Sequence, residues 1–359
     1  MLKSTFSGIR IAAIACAVPT KTISSEVTYK KFGKEFTEKT EKTIGIKSIR
    51  KSVKKQIASD LGYVAAERII EQKNIDRSTI GVIVYVTQSP DYNIPATSCV
   101  LHKRLGLPID CAAVDVNNGC PGFVYGVQII CSMLNSLSCE RALLIVGDSV
   151  DKKDTEKFIP VPFGDGTGAA LFEKCSDAPT IEVSLRTDGS RYLSLITPFG
   201  GLRGLTYTEE ELKVGYRRCN YALMNGIDVF NFSITDVPEH INQFVKEQGR
   251  TISDYDCVAL HQPNLFMIKQ IVKKIGAKDE NVPISLDRFG NTNGGSIPLT
   301  LVDRYGNMRG GGISVLMSGF GVGLMWGIVS AEILIDDIFP MIFSDDYFED
   351  PELDTKEYD

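Results

Sequence analysis

The chain has 359 residues, of which 43% are hydrophobic and 23% charged, the composition of a folded protein with a sizeable core rather than of a disordered one. A formal net charge of −6 excludes the broad basic footprint of a nucleic-acid binder. No apolar run approaches the about 20 residues that a membrane span needs, so no membrane partner is expected. Nine cysteines in a chain of this length read as reduced thiols, which makes the cytoplasm the expected compartment.

In chain order, the apolar run Ile9–Ala15 is of strand length and rich in residues suited to a buried strand, which favours a first core strand over a leader peptide. Ser59–Gln72 is amphipathic and predicts a helix, followed by strands at Ile80–Thr87 and Ala112–Val116. A helix over Pro121–Asn135 and strands at Ala142–Gly147 and Ala169–Phe172 come next. The second part of the chain gives a helix over Val237–Gln248, a strand at Cys257–Leu260, a helix over Leu265–Ile275 and a strand at Ile313–Ser318. Short apolar runs alternating with longer amphipathic ones describe an α/β protein. Glycine clusters at Gly294–Gly295, Gly310–Gly312 and Gly319–Gly323 mark turns or close backbone approaches. Two stretches resemble each other, VNNGCPGFVYGVQII and ALHQPNLFMIKQIV: each runs from strand through polar turn to helix. From Asp336 to Asp359 acidic residues dominate and predict a solvated tail, with Phe339, Phe343, Tyr347 and Phe348 available to dock its early part.

Several residues stand where chemistry is possible. Cys120 follows a strand and the polar run Asn117-Asn118-Gly119, and Pro121-Gly122 leads into a helix. Proline suits the first helical position, which puts the thiol at a helix N-terminus, where a lowered pKa is expected. The alternative is a small buried hydrophobe, the reading given to most of the other cysteines. His261 ends a buried strand and either faces a site or caps the turn. His102 and His240 read as surface residues. Asn291, within RFGNTNGGS, either approaches a ligand or simply makes a turn. No C-x-x-C, H-E-x-x-H or P-loop spacing is present, so neither a metal nor a phosphate site is expected; FGDGTGAA lacks the lysine of a P-loop.

Taken together, DVNNGCPGF, PFGDGTGAA, HQPN, FGNTNGGSIPL and SGFGVGLMWG occur in one order and spacing, preceded by VTQSPDYNIPATSCVLHKRLGL. This set resembles the β-ketoacyl-acyl-carrier-protein synthase III family over roughly residues 9–334. The resemblance implies a thiolase fold of five layers, αβαβα, with two similar halves at 1–180 and 181–335 followed by the tail at 336–359. It implies an acyltransferase in which Cys120 carries the acyl group as a thioester, while His261 and Asn291 hydrogen-bond the enolate of a decarboxylating malonyl carrier. It also implies oxyanion-hole N–H groups from Cys120 and Val322, and substrate contacts from Asn264, Phe320 and Ile94. No cofactor is implied beyond the acyl-CoA or acyl-carrier thioester substrate. The implied partners are acyl carrier protein and a second copy of the chain in a homodimer, with Asp91–Ser98 near that partner.

Departures from the family pattern concern the substrate. Lys39 and Thr43 replace the tryptophan and arginine that usually contact a coenzyme A nucleotide, which points to a primer other than simple acetyl-CoA. Leu265-Phe266-Met267 opens the helix after HQPN where an arginine is usual, leaving Lys269, Lys273 and Lys274 for the carrier. Ile94 stands in place of a phenylalanine, and Val322 in place of a glycine. Two rival readings keep the fold: transfer of the Cys120-bound acyl group to a non-malonyl acceptor, and a non-catalytic partner subunit.

Overall fold

The computed structural model describes residues 2–24, 34–53, 55–149, 163–213 and 222–350. Two large sheets organise the chain, and their strands are numbered here in chain order. They are β1 (Lys3–Phe6), β2 (Ile9–Val18), β3 (Ile80–Val86), β4 (Ala112–Val116), β5 (Arg141–Asp148) and β6 (Gly166–Lys174). These are followed by β7 (Ile181–Thr187), β8 (Cys257–Leu260), β9 (Gly312–Gly321), β10 (Met325–Leu334) and β11 (Ile342–Phe343). The first sheet has the order β11-β2-β6-β5-β3-β4 and the second β1-β7-β10-β9-β8. The main helices are α1 (Lys34–Ile44), α2 (Ala58–Gln72), α3 (Thr97–Arg104), α4 (Gly122–Ser136), α5 (Gly226–Glu247), α6 (Leu265–Ile275) and α7 (Ser296–Tyr305).

The continuous apolar runs in the sequence follow from burial of both sheet faces. Val82, Val84 and Val86 of β3 point into a central core with α4 and α7, whereas Ile83 and Tyr85 point outward beneath α2 and α3. The second sheet repeats this arrangement. Val315 and Met317 of β9 join the central core, while Leu316 packs beneath α5 and α6 with Val258, Leu260 and Ile328. Five layers result: α2 and α3, the first sheet, α4 and α7, the second sheet, α5 and α6.

The two halves share more than composition. In the first sheet β2, β6, β5 and β3 are neighbours, antiparallel across the first two contacts and parallel across the third. In the second sheet β7, β10, β9 and β8 have the same order and the same directions. On this match β8 corresponds to β3, so the turn with His261 corresponds to the turn after β3. The stretch with Cys120 corresponds instead to the approach to α7, which carries Asn291. The resemblance read between VNNGCPGFVYGVQII and ALHQPNLFMIKQIV is therefore out of step by one strand–helix unit. A strand followed by an amphipathic helix recurs at every unit, so pattern alone does not fix which units correspond. The chain passes from one sheet to the other between β6 and β7, but β1 crosses into the second sheet and β11 into the first.

Four local expectations change. The helix expected over Val237–Gln248 begins at Gly226, with Asn225 accepting from the Asp228 N–H as its cap, and it runs through Pro238. Tertiary burial of Phe232, Val237, Ile241 and Phe244 holds Pro238 inside the helix. His240 is not a surface residue: it is fully buried in α5, with Nε2 2.8 Å from Ser184 Oγ. Of the other expected surface histidine, His102, the side chain is half-buried and Nε2 lies 2.9 Å from the Pro108 carbonyl.

The acidic tail, expected to be solvated, is docked along the described residues 336–350. Ile338 and Ile342 are buried, and β11 pairs in parallel with Ala17 and Val18 of β2. Gln56 Nε2 donates to the carbonyls of Ser344 and Asp346, each at 2.9 Å. Arg104, ion-paired with Asp60 at 2.9 Å, stacks its guanidinium on Phe348, and the Phe348 N–H donates to the same Asp60 carboxylate. Buried Ile338 and Ile342, the β11 pairing and Phe348 anchor it; residues 351–359 lie outside the described residues.

Candidate active site

Cys120 sits in the turn between β4 and α4, with Pro121 as the residue before the helix. Glycines bring the surrounding backbones close. A Cβ on Gly319 would lie 2.8 Å from Pro121 Cα, and one on Gly321 would lie 2.6 Å from Cys120 Cβ and 2.9 Å from its Sγ. A Cβ on Gly294 would stand 2.9 Å from the Gly119 carbonyl oxygen. The glycine clusters of the sequence thus mark where the end of β9 and the approach to α7 close on the turn of the thiol.

The thiol is half-buried, and burial together with the Asp148 carboxylate pushes it up to about 12; hydrogen bonds from the backbone N–H groups of Val322 and Cys120 act the other way. The lowered pKa expected from the helix start is therefore overturned. Desolvation of a thiolate outweighs a helix dipole worth about 1 kcal/mol.

His261 follows β8 and is buried. Its Nδ1 lies 2.8 Å from Ser296 Oγ, and its N–H donates to the Ser318 carbonyl of β9 at 2.9 Å. Phe320 packs edge-on against the imidazole, ring centres 5.5 Å apart. Burial lowers the ring pKa to about 3, against a hydrogen bond to the Asn293 backbone, so the imidazole is neutral at physiological pH. Buried Gln262 fixes the turn by donating to the Leu260 carbonyl at 2.9 Å and accepting from the Ser285 N–H at 3.2 Å.

Asn291 is buried, and its Oδ1 accepts from the Asn293 N–H at 2.9 Å, which leaves its Nδ2 as a donor without a partner among the described residues. Asn293, at a left-handed φ of 49°, brings its own Oδ1 to 3.9 Å from Cys120 Sγ. Cys120, His261 and Asn291 are thus linked through one short segment, Asn291–Ser296, that touches all three.

The remaining expected site residues divide. Phe320 and Val322 lie beside His261 and Cys120, as described. Asn264 caps α6, its Oδ1 accepting from the Met267 N–H at 2.8 Å. Ile94 is 86% exposed on this chain. Thr43 is exposed on α1, and the Lys39 side chain lies outside the described residues. Lys269, Lys273 and Lys274 are exposed along α6. In the GDG run, Asp165 binds Lys51 Nζ at 3.0 Å and the Ser52 N–H at 2.9 Å, a structural use of its carboxylate.

Three residues escaped the sequence reading: Ser296, Asn293 and Asp148. The last is buried at the end of β5, where it accepts from the Gln88 N–H at 2.6 Å, Thr87 Oγ1 at 3.0 Å and Ser89 Oγ at 3.2 Å. Among the described residues no three His, Cys, Asp or Glu side chains form a metal-ligand set, and no helix is long and apolar enough to cross a membrane.

Residues 114–189 match the family 3-Oxoacyl-[acyl-carrier-protein (ACP)] synthase III, and residues 245–333 match its C-terminal counterpart. A β-ketoacyl-[acyl-carrier-protein] synthase III from Symbiobacterium thermophilum is 32% identical over 287 residues, covering 79% of this chain and 86% of that one. One of the same name from Coxiella burnetii is 32% identical over 268 residues, 73% and 80% of the two chains. The crystal structure of a 3-oxoacyl-(acyl-carrier protein) synthase from Burkholderia xenovorans LB400 superposes with a TM-score of 0.87 at 28% identity, covering 96% of this chain and 99% of that one. The priming β-ketosynthase of the R1128 polyketide pathway, at 23% identity and a TM-score of 0.77 over 92% and 97% of the chains, shares the fold.

Proposed function

This chain belongs to the β-ketoacyl-[acyl-carrier-protein] synthase III family, and we propose that it joins an acyl group held on Cys120 to a malonyl unit on acyl carrier protein, with loss of carbon dioxide. The observation that carries this reading is the neutral, buried pair of donors joined to the thiol through Asn293: His261, lowered to about 3, and Asn291, whose Nδ2 has no partner among the described residues.

In the first half-reaction Cys120 Sγ attacks the carbonyl carbon of an acyl thioester. The carrier thiol leaves with the proton that the cysteine gives up, and the N–H groups of Cys120 and Val322 hold the transient oxyanion. In the second, the malonyl carbon–carboxylate bond breaks and its electron pair becomes an enolate. The enolate oxygen accepts from His261 Nε2–H and Asn291 Nδ2–H. For this, Nε2 must carry the proton, which requires Ser296 Oγ–H to donate to Nδ1. The enolate carbon then attacks the acyl-cysteine and releases the thiolate. A neutral imidazole suits this role because an imidazolium would compete for the malonyl carboxylate as a counter-ion. Exposed Lys269, Lys273 and Lys274 on α6 offer the basic surface that an acidic carrier protein needs.

The chain acts as a homodimer on this reading, with exposed Ile94 and the half-exposed edge strand β4 meeting their counterparts. Intact-mass spectrometry tests the chemistry. Acyl-CoA and acyl-carrier thioesters should add one acyl group to the native chain and none to Cys120→Ala. His261→Ala and Asn291→Ala should still accept the acyl group but lose condensation with malonyl carrier by about 100-fold or more. A labelled adduct that survives in Cys120→Ala would refute the assignment.

A further inference from the structure

The segment from Asn291 to Ser296 is fixed by its backbone. The Asn291 carbonyl accepts from the Gly164 N–H at 3.2 Å. A Cβ on Gly294 would lie 2.9 Å from the Gly119 carbonyl oxygen, and one on Gly295 would lie 2.8 Å from that of Gly166. Between these close approaches Asn293 holds its left-handed φ of 49°. Among the described residues only Asn74, just past the end of α2, is another non-glycine residue with a positive φ. Glycine would hold this conformation at the least cost, so a side chain kept here points to a use for that side chain.

The backbone and the side chain of Asn293 serve different neighbours. Its N–H donates to Asn291 Oδ1 at 2.9 Å, which engages the oxygen of that amide and turns Nδ2 to the other side. The His261 ring hydrogen-bonds the Asn293 backbone as well. The side chain meets the nucleophile instead: Cys120 Sγ donates to Asn293 Oδ1 across 3.9 Å. An amide oxygen accepts a hydrogen bond and is far too weak a base to take the proton. The contact therefore fixes the direction of the S–H bond and does not ionise it.

We propose that the Asn293 side chain positions the Cys120 thiol for acyl loading, while the Asn293 backbone, independently of that side chain, orients Asn291 for condensation. The inference rests on Cys120 as the acyl carrier. With its S–H turned to Oδ1, the sulfur keeps a lone pair for the acyl carbon, and a misaligned nucleophile loses rate steeply. In loading, the Sγ–acyl bond forms, the donor's sulfur–acyl bond breaks, and the donor thiol departs with the Cys120 proton. Once the acyl group has replaced that proton, Oδ1 has no S–H to accept, and the side chain drops out of the second half-reaction.

Asn293→Gly is the test, because glycine keeps the left-handed backbone with its bond to Asn291 and removes only the amide. Acetyl-, butyryl- and octanoyl-N-acetylcysteamine serve as donors, and the adduct on Cys120 is followed by intact mass. The loaded chain is then mixed with malonyl-acyl carrier protein in a single turnover. The variant should load about tenfold more slowly than the native chain and lose far less in condensation, a split that a general loosening of the fold would not give. Iodoacetamide at pH 8 should alkylate the variant at least as fast, since loss of an acceptor for the neutral thiol lowers its pKa. Native loading, slower alkylation, or equal slowing of both half-reactions overturns the inference and leaves the condensing reaction standing. A native chain that iodoacetamide alkylates at Cys120 but that no thioester loads overturns both.

Discussion

At the scale of single residues, the state of the thiol is decided by what surrounds it. Burial and Asp148 push Cys120 up to about 12, so the free enzyme carries a thiol, and attack must be coupled to loss of its proton. The rate of alkylation by iodoacetamide should therefore rise about tenfold per pH unit from pH 7 to pH 10 without levelling off. A plateau near pH 8 would show a stabilised thiolate and contradict this. Ser296 has a separate role, since its Oγ at Nδ1 sets which His261 nitrogen faces the site. Ser296→Ala should slow condensation roughly tenfold while acyl loading stays close to native, as measured by single-turnover mass spectrometry. His261 and Asn291 became candidates in the sequence through the family resemblance that their contiguous motifs carry. Ser296 did not, because its partner lies 35 residues away and only folding brings the two together.

At the scale of elements, glycines decide whether the two halves can meet. The end of β9 passes so close to the nucleophile turn that a Cβ on Gly321 would overlap both Cβ and Sγ of Cys120. Gly321→Ala should leave the circular-dichroism spectrum near native and sharply reduce acyl-enzyme formation, because the thiol must move to make room. Normal loading in that variant would count against the approach described here. Strands were legible where burial on both faces gives an uninterrupted apolar run, so β8 has the expected limits; half-exposed β4 keeps its expected limits too. The length of α5 was hidden behind Pro238, and the correspondence between halves behind a pattern that every unit shares. A local signal cannot separate repeated units; strand order can.

At the scale of the whole molecule, two buried histidines make stability depend on acidity. His261 and His240 are each lowered to about 3 by burial, below the ordinary value of 6.5. The unfolded chain therefore binds protons between these limits that the folded chain refuses. Their contribution is intact above pH 6.5 and falls by about 1.4 kcal/mol per pH unit for each histidine as the pH drops. The melting temperature should decline from pH 7 to pH 5, and His240→Gln should flatten the decline, a comparison that calorimetry can make. The docked tail predicts a second whole-molecule effect. Ending the chain at Pro340 removes β11 from the edge of β2, and should lower the melting temperature by several degrees and promote aggregation through the exposed edge. What the sequence alone determined was the α/β class and, through the resemblance that its ordered motifs carry, the expectation of a five-layer fold and of Cys120, His261 and Asn291 acting together. These are properties of contiguous residues, set by local pattern and by side-chain chemistry. Only the tertiary structure decided the protonation of the thiol, the burial of His240, the docking of the acidic segment and the convergence of Thr87, Gln88 and Ser89 on Asp148. Each of those depends on desolvation and on contacts between residues far apart in the chain, quantities that no local stretch of sequence contains.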